Sequence, residues 1–198
     1  MDVIKFKIPK HLSALIALTF LFWSPGCAPK KDVREDVLDT PQHHVSSGFK
    51  LLKKDYIFHA EREFLLALEL DPQSWNAHRG LGLVYAGKSQ FSLALTHMRK
   101  AEAGAKTDVA QALVDVGFMR IYMQQGAEDW FDQVCQSYSD ALSHDPALPD
   151  PYYYMGMAFK KLNRLSEARR AFKKVIEIDK GLVAESQQEL RAIDRFEK

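Results

Sequence analysis

Small and apolar residues recur every three or four positions along "HAEREFLLALELDP" (59–72), where Ala60, Phe64 and Ala67 share one face. This spacing predicts an amphipathic helix. It should stop at Asp71-Pro72, because proline cannot extend the backbone hydrogen-bond ladder. The segment "EARRAFKKVIEIDK" (167–180) repeats the pattern at Ala168, Phe172 and Val175, 108 residues downstream.

Four glycines, Gly48, Gly82, Gly117 and Gly156, lie in similar helical contexts at spacings of 34, 35 and 39, and the first and last are again 108 apart. Two motifs sharing one offset predict an internal repeat of helical hairpins. A single hairpin cannot bury its own apolar face, so hairpins stack until the faces cover one another. The expected fold is an all-α solenoid of about four helix-turn-helix repeats, with a hydrophobic fraction of 46% to supply its core.

The slots within each period resemble the tetratricopeptide repeat (TPR) family, whose pattern is W-x2-L-G-x2-Y, then A-x3-F, then P. Repeat 41–74 carries Gly48, Leu51, Ala60, Phe64, Ala67 and Pro72, and repeat 75–108 carries Leu81, Gly82, Tyr85, Ala94, Met98 and Ala101. Repeat 109–148 carries Gly117, Val134, Tyr138, Ala141 and Pro146, and repeat 149–182 carries Tyr152, Met155, Gly156, Phe159, Ala168, Phe172 and Val175. The repeat-core set is therefore Gly48, Ala60, Phe64, Gly82, Ala94, Met98, Gly117, Tyr138, Gly156, Ala168 and Phe172. Glycine and alanine let two helices approach at their crossing, and the larger residue four positions after the alanine fills the gap beside it. The third repeat departs from the pattern. Arg120 holds an aromatic slot, Val134 replaces alanine, and five surplus residues are expected in the turn "MQQGAEDW" (123–130). Lys106 and Lys180 stand where proline would be, predicting less sharply ended helices. Val183, Leu190 and Ile193 form a thin apolar stripe in 183–198, which suits a capping helix.

The amino-terminal 26 residues read as a leader. Lys5, Lys7 and Lys10 precede a twelve-residue apolar run, Leu12–Trp23, too short for the roughly 20 residues of a membrane span. Gly26-Cys27 at its end resembles the box of bacterial lipoproteins, although Ser24 and Pro25 depart from that family's usual residues. The resemblance implies cleavage after residue 26 and diacylglycerol on Cys27. Ala28 after the cysteine implies the outer membrane, facing the periplasm. Residues 27–41 would then be a lipidated, charged tether, with a flexible span on the order of 20 Å. An ordinary secreted protein cut nearby and an uncleaved anchor are the alternatives. If Cys27 is lipidated, Cys135 stands alone as a small buried hydrophobe.

Residues 27–198 carry a formal net charge of −1 and contain no basic block, so the sequence has no electrostatic footprint for nucleic acid. His43 and His44 are adjacent and do not share a helical face, and "HAERE" (59–63) lacks the second histidine of a zinc-protease helix. Gly87 and Gly126 fall in turns, and the acid pairs Glu61/Glu63 and Asp129/Asp132 are expected on solvated faces. No catalytic residue, metal site or cofactor is expected.

The resemblance further implies a concave groove lined by the first helix of each repeat. Its lining is expected at Val45, Phe49, Leu52, Arg79, Leu83, Val114, Phe118, Ile121, Tyr122, Tyr153, Met157, Lys160 and Lys161. Chaperone-binding members present lysine and asparagine there to clamp a terminal carboxylate; Val45 and Phe49 hold the corresponding first-repeat places here. An apolar, aromatic groove with a basic margin suits an amphipathic helix or an extended apolar segment of a protein partner. The expected role is a non-catalytic scaffold in the cell envelope, like the pilotins or the adaptors that recruit cell-wall enzymes. A soluble periplasmic chaperone-like adaptor is the alternative.

Overall fold

A computed structural model describes residues 39–196. The leader at 1–26, Cys27, most of the 27–41 tether and the last two residues of the 183–198 cap lie outside the described residues. Among the described residues there are nine helices and no strand. They are α1 (Pro41–Lys53), α2 (Ile57–Leu70), α3 (Trp75–Gly87), α4 (Phe91–Gly104), α5 (Asp108–Gln125), α6 (Trp130–His144), α7 (Pro149–Lys161), α8 (Leu165–Ile178) and α9 (Val183–Phe196).

Helices pair as α1/α2, α3/α4, α5/α6 and α7/α8, each pair stacks on the next, and α9 closes the stack on α8. Local chemistry starts and stops these helices. Thr40 Oγ1 accepts from the His43 amide at 3.2 Å ahead of Pro41, and Thr107 Oγ1 accepts from the Ala110 amide at 3.2 Å. Every second helix ends ten residues past its small-residue slot, whether or not proline follows: Leu70 after Ala60, Gly104 after Ala94, His144 after Val134, Ile178 after Ala168. The expected loose endings at Lys106 and Lys180 are absent. The Lys106 ammonium caps the Ala103 carbonyl at 2.7 Å, and Asp179 turns the chain in the left-handed region at φ 52°.

The core is a row of side chains clamped between helices. Ala60, Phe64, Ala94, Met98, Ala168 and Phe172 are all fully buried. A Cβ on Gly48 would strike Phe64, one on Gly82 Met98, and one on Gly156 Phe172, so each of these glycines admits the large residue of its own repeat. Tyr138 fills the same slot in the third repeat, with its ring edge-on to Tyr152.

Gly117 does not belong to this set. Its absent Cβ faces Met98 of the preceding repeat, just as the absent Cβ of Gly80 faces Phe64 of the preceding repeat. The position that matches Gly48, Gly82 and Gly156 is Met119, which packs with Val134 inside its own hairpin. The turns bear this out. Asp55, Ser89 and Asn163 adopt positive φ seven residues after the three glycines, and Gly126 does so (φ 64°) seven residues after Met119. Phe118 and Tyr122 then take the leucine and tyrosine slots, and Arg120 leaves the aromatic slot. The surplus is correspondingly not five residues in 123–130. Spacings of 37 on each side of Met119 place three extra residues at the start of α5 and three between Gly126 and Val134. Met123–Gln125 are helical, and the turn itself is only Gly126–Asp129.

The cap is held by chemistry as well as packing. Ile193 and Leu190 cover Ala168 and Phe172, while Lys160 pairs with Glu189 and Arg169 with Asp194. Cys135 is half-buried against the α5/α6 hairpin, and burial raises its thiol pKa, which leaves it a poor nucleophile.

Candidate functional site

The first helices of the hairpins turn one side inward, and the shifted register of α5 decides what that side presents. Of the predicted lining, Val114 and Ile121 are 1% and 0% exposed, and Leu83 and Phe118 are nearly as enclosed. These four pack into one cluster with Met98, Ala101 and Ala110, so they are core between the second and third repeats and not groove. Tyr122 packs half-buried beside that cluster and, with Phe118, lines a separate cleft of about 340 Å³ between α4 and α6. Leu83, on α3, is covered by α5 packing against it; for the residues on α5 the physical reason is a rotation. Taking Gly117 as the crossing residue turns α5 by two positions, about 200°, relative to its actual orientation.

Two predicted lining residues, Val45 and Phe49, border a cavity of about 660 Å³ with Lys50 and Lys53, although Val45 is itself buried against Ala67 and Ala77. Its far wall, Trp75 and Asn76 at the start of α3, was missed by sequence reasoning, although their position one turn before Arg79 signalled it. Leu52 sits half-buried deeper against the first two repeats. Arg79 lies with its guanidinium 4.4 Å from the Phe49 ring centroid and 5.9 Å from that of Trp75, and its Nε donates to Asn76 Oδ1 at 3.0 Å.

Farther along, Arg120 reaches the groove from α5, its guanidinium 5.2 Å from the ring centroid of Tyr154 on α7. Asp150 and Tyr154 on α7 lie close enough to act electrostatically on Arg79. Desolvation and the like charge of Arg120 lower the Arg79 pKa to about 10, with Asp150 and Tyr154 opposing the shift. Arg79 therefore stays cationic at neutral pH. Burial raises the Asp150 carboxyl pKa, and the two arginines pull it back. Tyr153 and Met157 continue the wall beside Phe172, and burial, reinforced by Glu189, pushes the Tyr153 phenol up to about 12. Lys160 is engaged by Glu189. Lys161 is not groove lining. Its ammonium donates to the Met123 carbonyl and lies 4.6 Å from the Trp130 ring centroid, at the end of α5.

The other candidate chemistry resolves into structural pairs. Glu61 and Glu63 are not on solvated faces: Glu61 pairs with Lys88, and Glu63 with His44 at 2.8 Å. Among the described residues, no cluster of His, Cys, Asp or Glu is placed to hold a metal ion, and no helix is long and apolar enough to cross a membrane.

Residues 149–182, the α7/α8 hairpin, match the tetratricopeptide repeat family. The fold is a TPR solenoid. It is similar to the structure of PilF of Pseudomonas aeruginosa at 21% identity and a TM-score of 0.54, covering 79% of this chain and 68% of that one. It is also similar to YrrB, a TPR protein with an unusual peptide-binding site (17% identity, TM-score 0.37, 79% and 95% covered). A further likeness is to the ArsTM double mutant of MamA from RS-1 (23% identity, TM-score 0.40, 70% and 75% covered). No curated protein sequence matches the chain. The TPR register of the last hairpin agrees with the slots at Gly156, Ala168 and Phe172 that clamp its core.

Proposed function

We propose that this TPR protein is a non-catalytic scaffold whose inner groove holds a segment of a protein partner. The observation that carries this reading is the cavity of about 660 Å³ between α1 and the start of α3, with Phe49 and Trp75 in its lining and open to solvent. Aromatic anchors of this kind supply most of the binding energy of protein interfaces. A photo-crosslinking residue at Ser46, on the cavity wall, captures the partner; the same residue at exposed Leu93 on α4 does not, and Phe49→Ala abolishes the Ser46 product. Equal capture from both positions rejects the groove.

The proposal extends to place. Cys27 after Gly26 supports a lipid anchor in the bacterial envelope, with Ala28 favouring the outer membrane and the domain facing the periplasm. In that setting the scaffold serves assembly of an envelope complex, as a pilotin-like factor or an adaptor for a cell-wall enzyme. Ser24-Pro25 before the box favours a second reading, a soluble periplasmic adaptor without lipid. Palmitate labelling of wild type and Cys27→Ser separates the two: label lost in the variant supports the anchor, and an unlabelled wild type rejects it.

A further inference from the structure

Two arginines come together where α3 packs on α5: Arg79 Cγ lies 3.8 Å from where a Cβ on Gly117 would stand, and Arg120 follows one turn along α5. Arg79 on α3 is fixed in plane by the Phe49 ring and by the bond from its Nε to Asn76, and among the described residues its terminal nitrogens make no hydrogen bond. Arg120 on α5 stacks on Tyr154. Among the described residues, neither guanidinium has a carboxylate within ion-pair distance, and Asp150 is an acid whose charge acts against both from farther off. Holding two like charges together away from bulk water costs stability, and the fold offsets that with ring stacking and the charge of Asp150 but with no ion pair to either arginine.

We infer that the groove recognises a segment of its partner bearing an acidic side chain, whose carboxylate bridges Arg79 and Arg120. This rests on the scaffold reading above and names the chemistry of its guest. Guanidinium forks match a carboxylate in two parallel hydrogen bonds, and ring stacking already orients both arginines, so little side-chain freedom remains to be lost. Apolar surface lies on both sides of the pair: Phe49 and Trp75 toward α1, Tyr153 and Tyr154 toward α7. The guest therefore carries apolar residues before and after its acid, which assigns the carboxylate to a side chain within the segment and not to a chain terminus.

A random peptide library with blocked carboxyl ends, selected on the full-length protein in detergent, supplies the probe. The expected consensus is an aspartate or glutamate flanked by apolar residues. In calorimetric titration, changing that acid to its amide should weaken binding about tenfold or more on wild type, and leave it nearly unchanged on Arg79→Gln/Arg120→Gln. Arg79→Lys, which keeps the charge and loses the fork, should fall between. If the double variant fails to fold, Arg120→Gln alone gives the readout, because among the described residues that side chain stacks on Tyr154 without an ion pair. Peptides that need Phe49 but carry no acid, or that ignore both arginine substitutions, overturn this inference and leave the scaffold reading intact. Selection yielding no Phe49-dependent peptide overturns both.

Discussion

Phe64 stands between two glycines on different helices. A Cβ on Gly48 would lie 2.6 Å from its ring, and a Cβ on Gly80 2.3 Å. The ring is fully buried and also meets Phe49 edge-on at 4.9 Å, so it has nowhere to move. Alanine normally favours a helix over glycine by up to about 1 kcal/mol. Here the added methyl should cost more than it gives, and Gly80→Ala should destabilise by roughly 1–3 kcal/mol in urea unfolding. In a Phe64→Leu background the same change should cost measurably less, because the smaller side chain vacates the space. Asp115 poses a different single-residue problem. Its Oδ2 is buried without a hydrogen-bond partner, 3.9 Å from His144 Nε2, in the cleft that Arg99, Glu102 and Asp140 also border. Burial, then Asp140 and Glu102, push its pKa from 3.8 to about 7. The folded state thus binds a proton that the unfolded state releases, and stability falls as pH rises from about 4 through 7. Asp115→Asn should remove that slope and stabilise the protein by a few kcal/mol at pH 8, while changing little at pH 4. Thermal melts across that range test it, and an unaltered slope would assign the dependence elsewhere.

At the scale of the element, α5 shows both what the residue pattern conveys and where it misleads. The hairpins at each end were legible because Ala60/Phe64 and Ala168/Phe172 repeat one spacing and sit against Gly48 and Gly156. In the third hairpin, glycine was the most visible marker and pointed to the wrong position. Gly117 makes a close approach, but to Met98 of the neighbouring hairpin, while the crossing slot holds Met119. The correcting signal was present in Phe118-Met119-x2-Tyr122, which fits the leucine-glycine-tyrosine slots with methionine for glycine. That error moved Val114, Phe118, Ile121 and Tyr122 into the expected groove and kept Arg120 out of it. The first helices of the two middle hairpins, α3 and α5, also lack a clean polar face to advertise their orientation, with eight buried residues each. The end of α5 gives a test of the revised register. Gly126 takes the left-handed turn that Asp55, Ser89 and Asn163 take elsewhere, so a short polar residue is tolerated there. Gly126→Asn should therefore cost a few tenths of a kcal/mol, Gly126→Ala about 1, and Gly126→Val more. Hydrogen exchange at Tyr122–Gln125 should quicken in the same order, since the Gly126 amide caps the Tyr122 carbonyl at 3.0 Å. Equal effects of all three would return Gly126 to an unconstrained loop.

At the scale of the whole domain, the solenoid curves far enough for its ends to touch. Lys53, the last residue of α1, pairs with Glu185 at the start of α9 at 3.3 Å, across 132 residues of sequence. The lysine side chain is 82% exposed, and an ion pair in that setting contributes less than about 1 kcal/mol and weakens with salt. Each repeat touches chiefly its neighbours, so small changes at successive interfaces add up over the stack and appear as end-to-end motion. A bond too weak to alter folding can still bias that motion, because the ends move together or apart at little cost in buried area. Lys53→Gln should shift the unfolding midpoint by no more than a degree or two, yet lengthen and broaden the distance distribution between dyes at exposed Lys54 and Gln187. High salt should do the same to wild type and little to the variant. A distribution that ignores both changes would mean that the packing of Met98, Met119 and their neighbours alone sets the curvature, and hence the width offered to a guest.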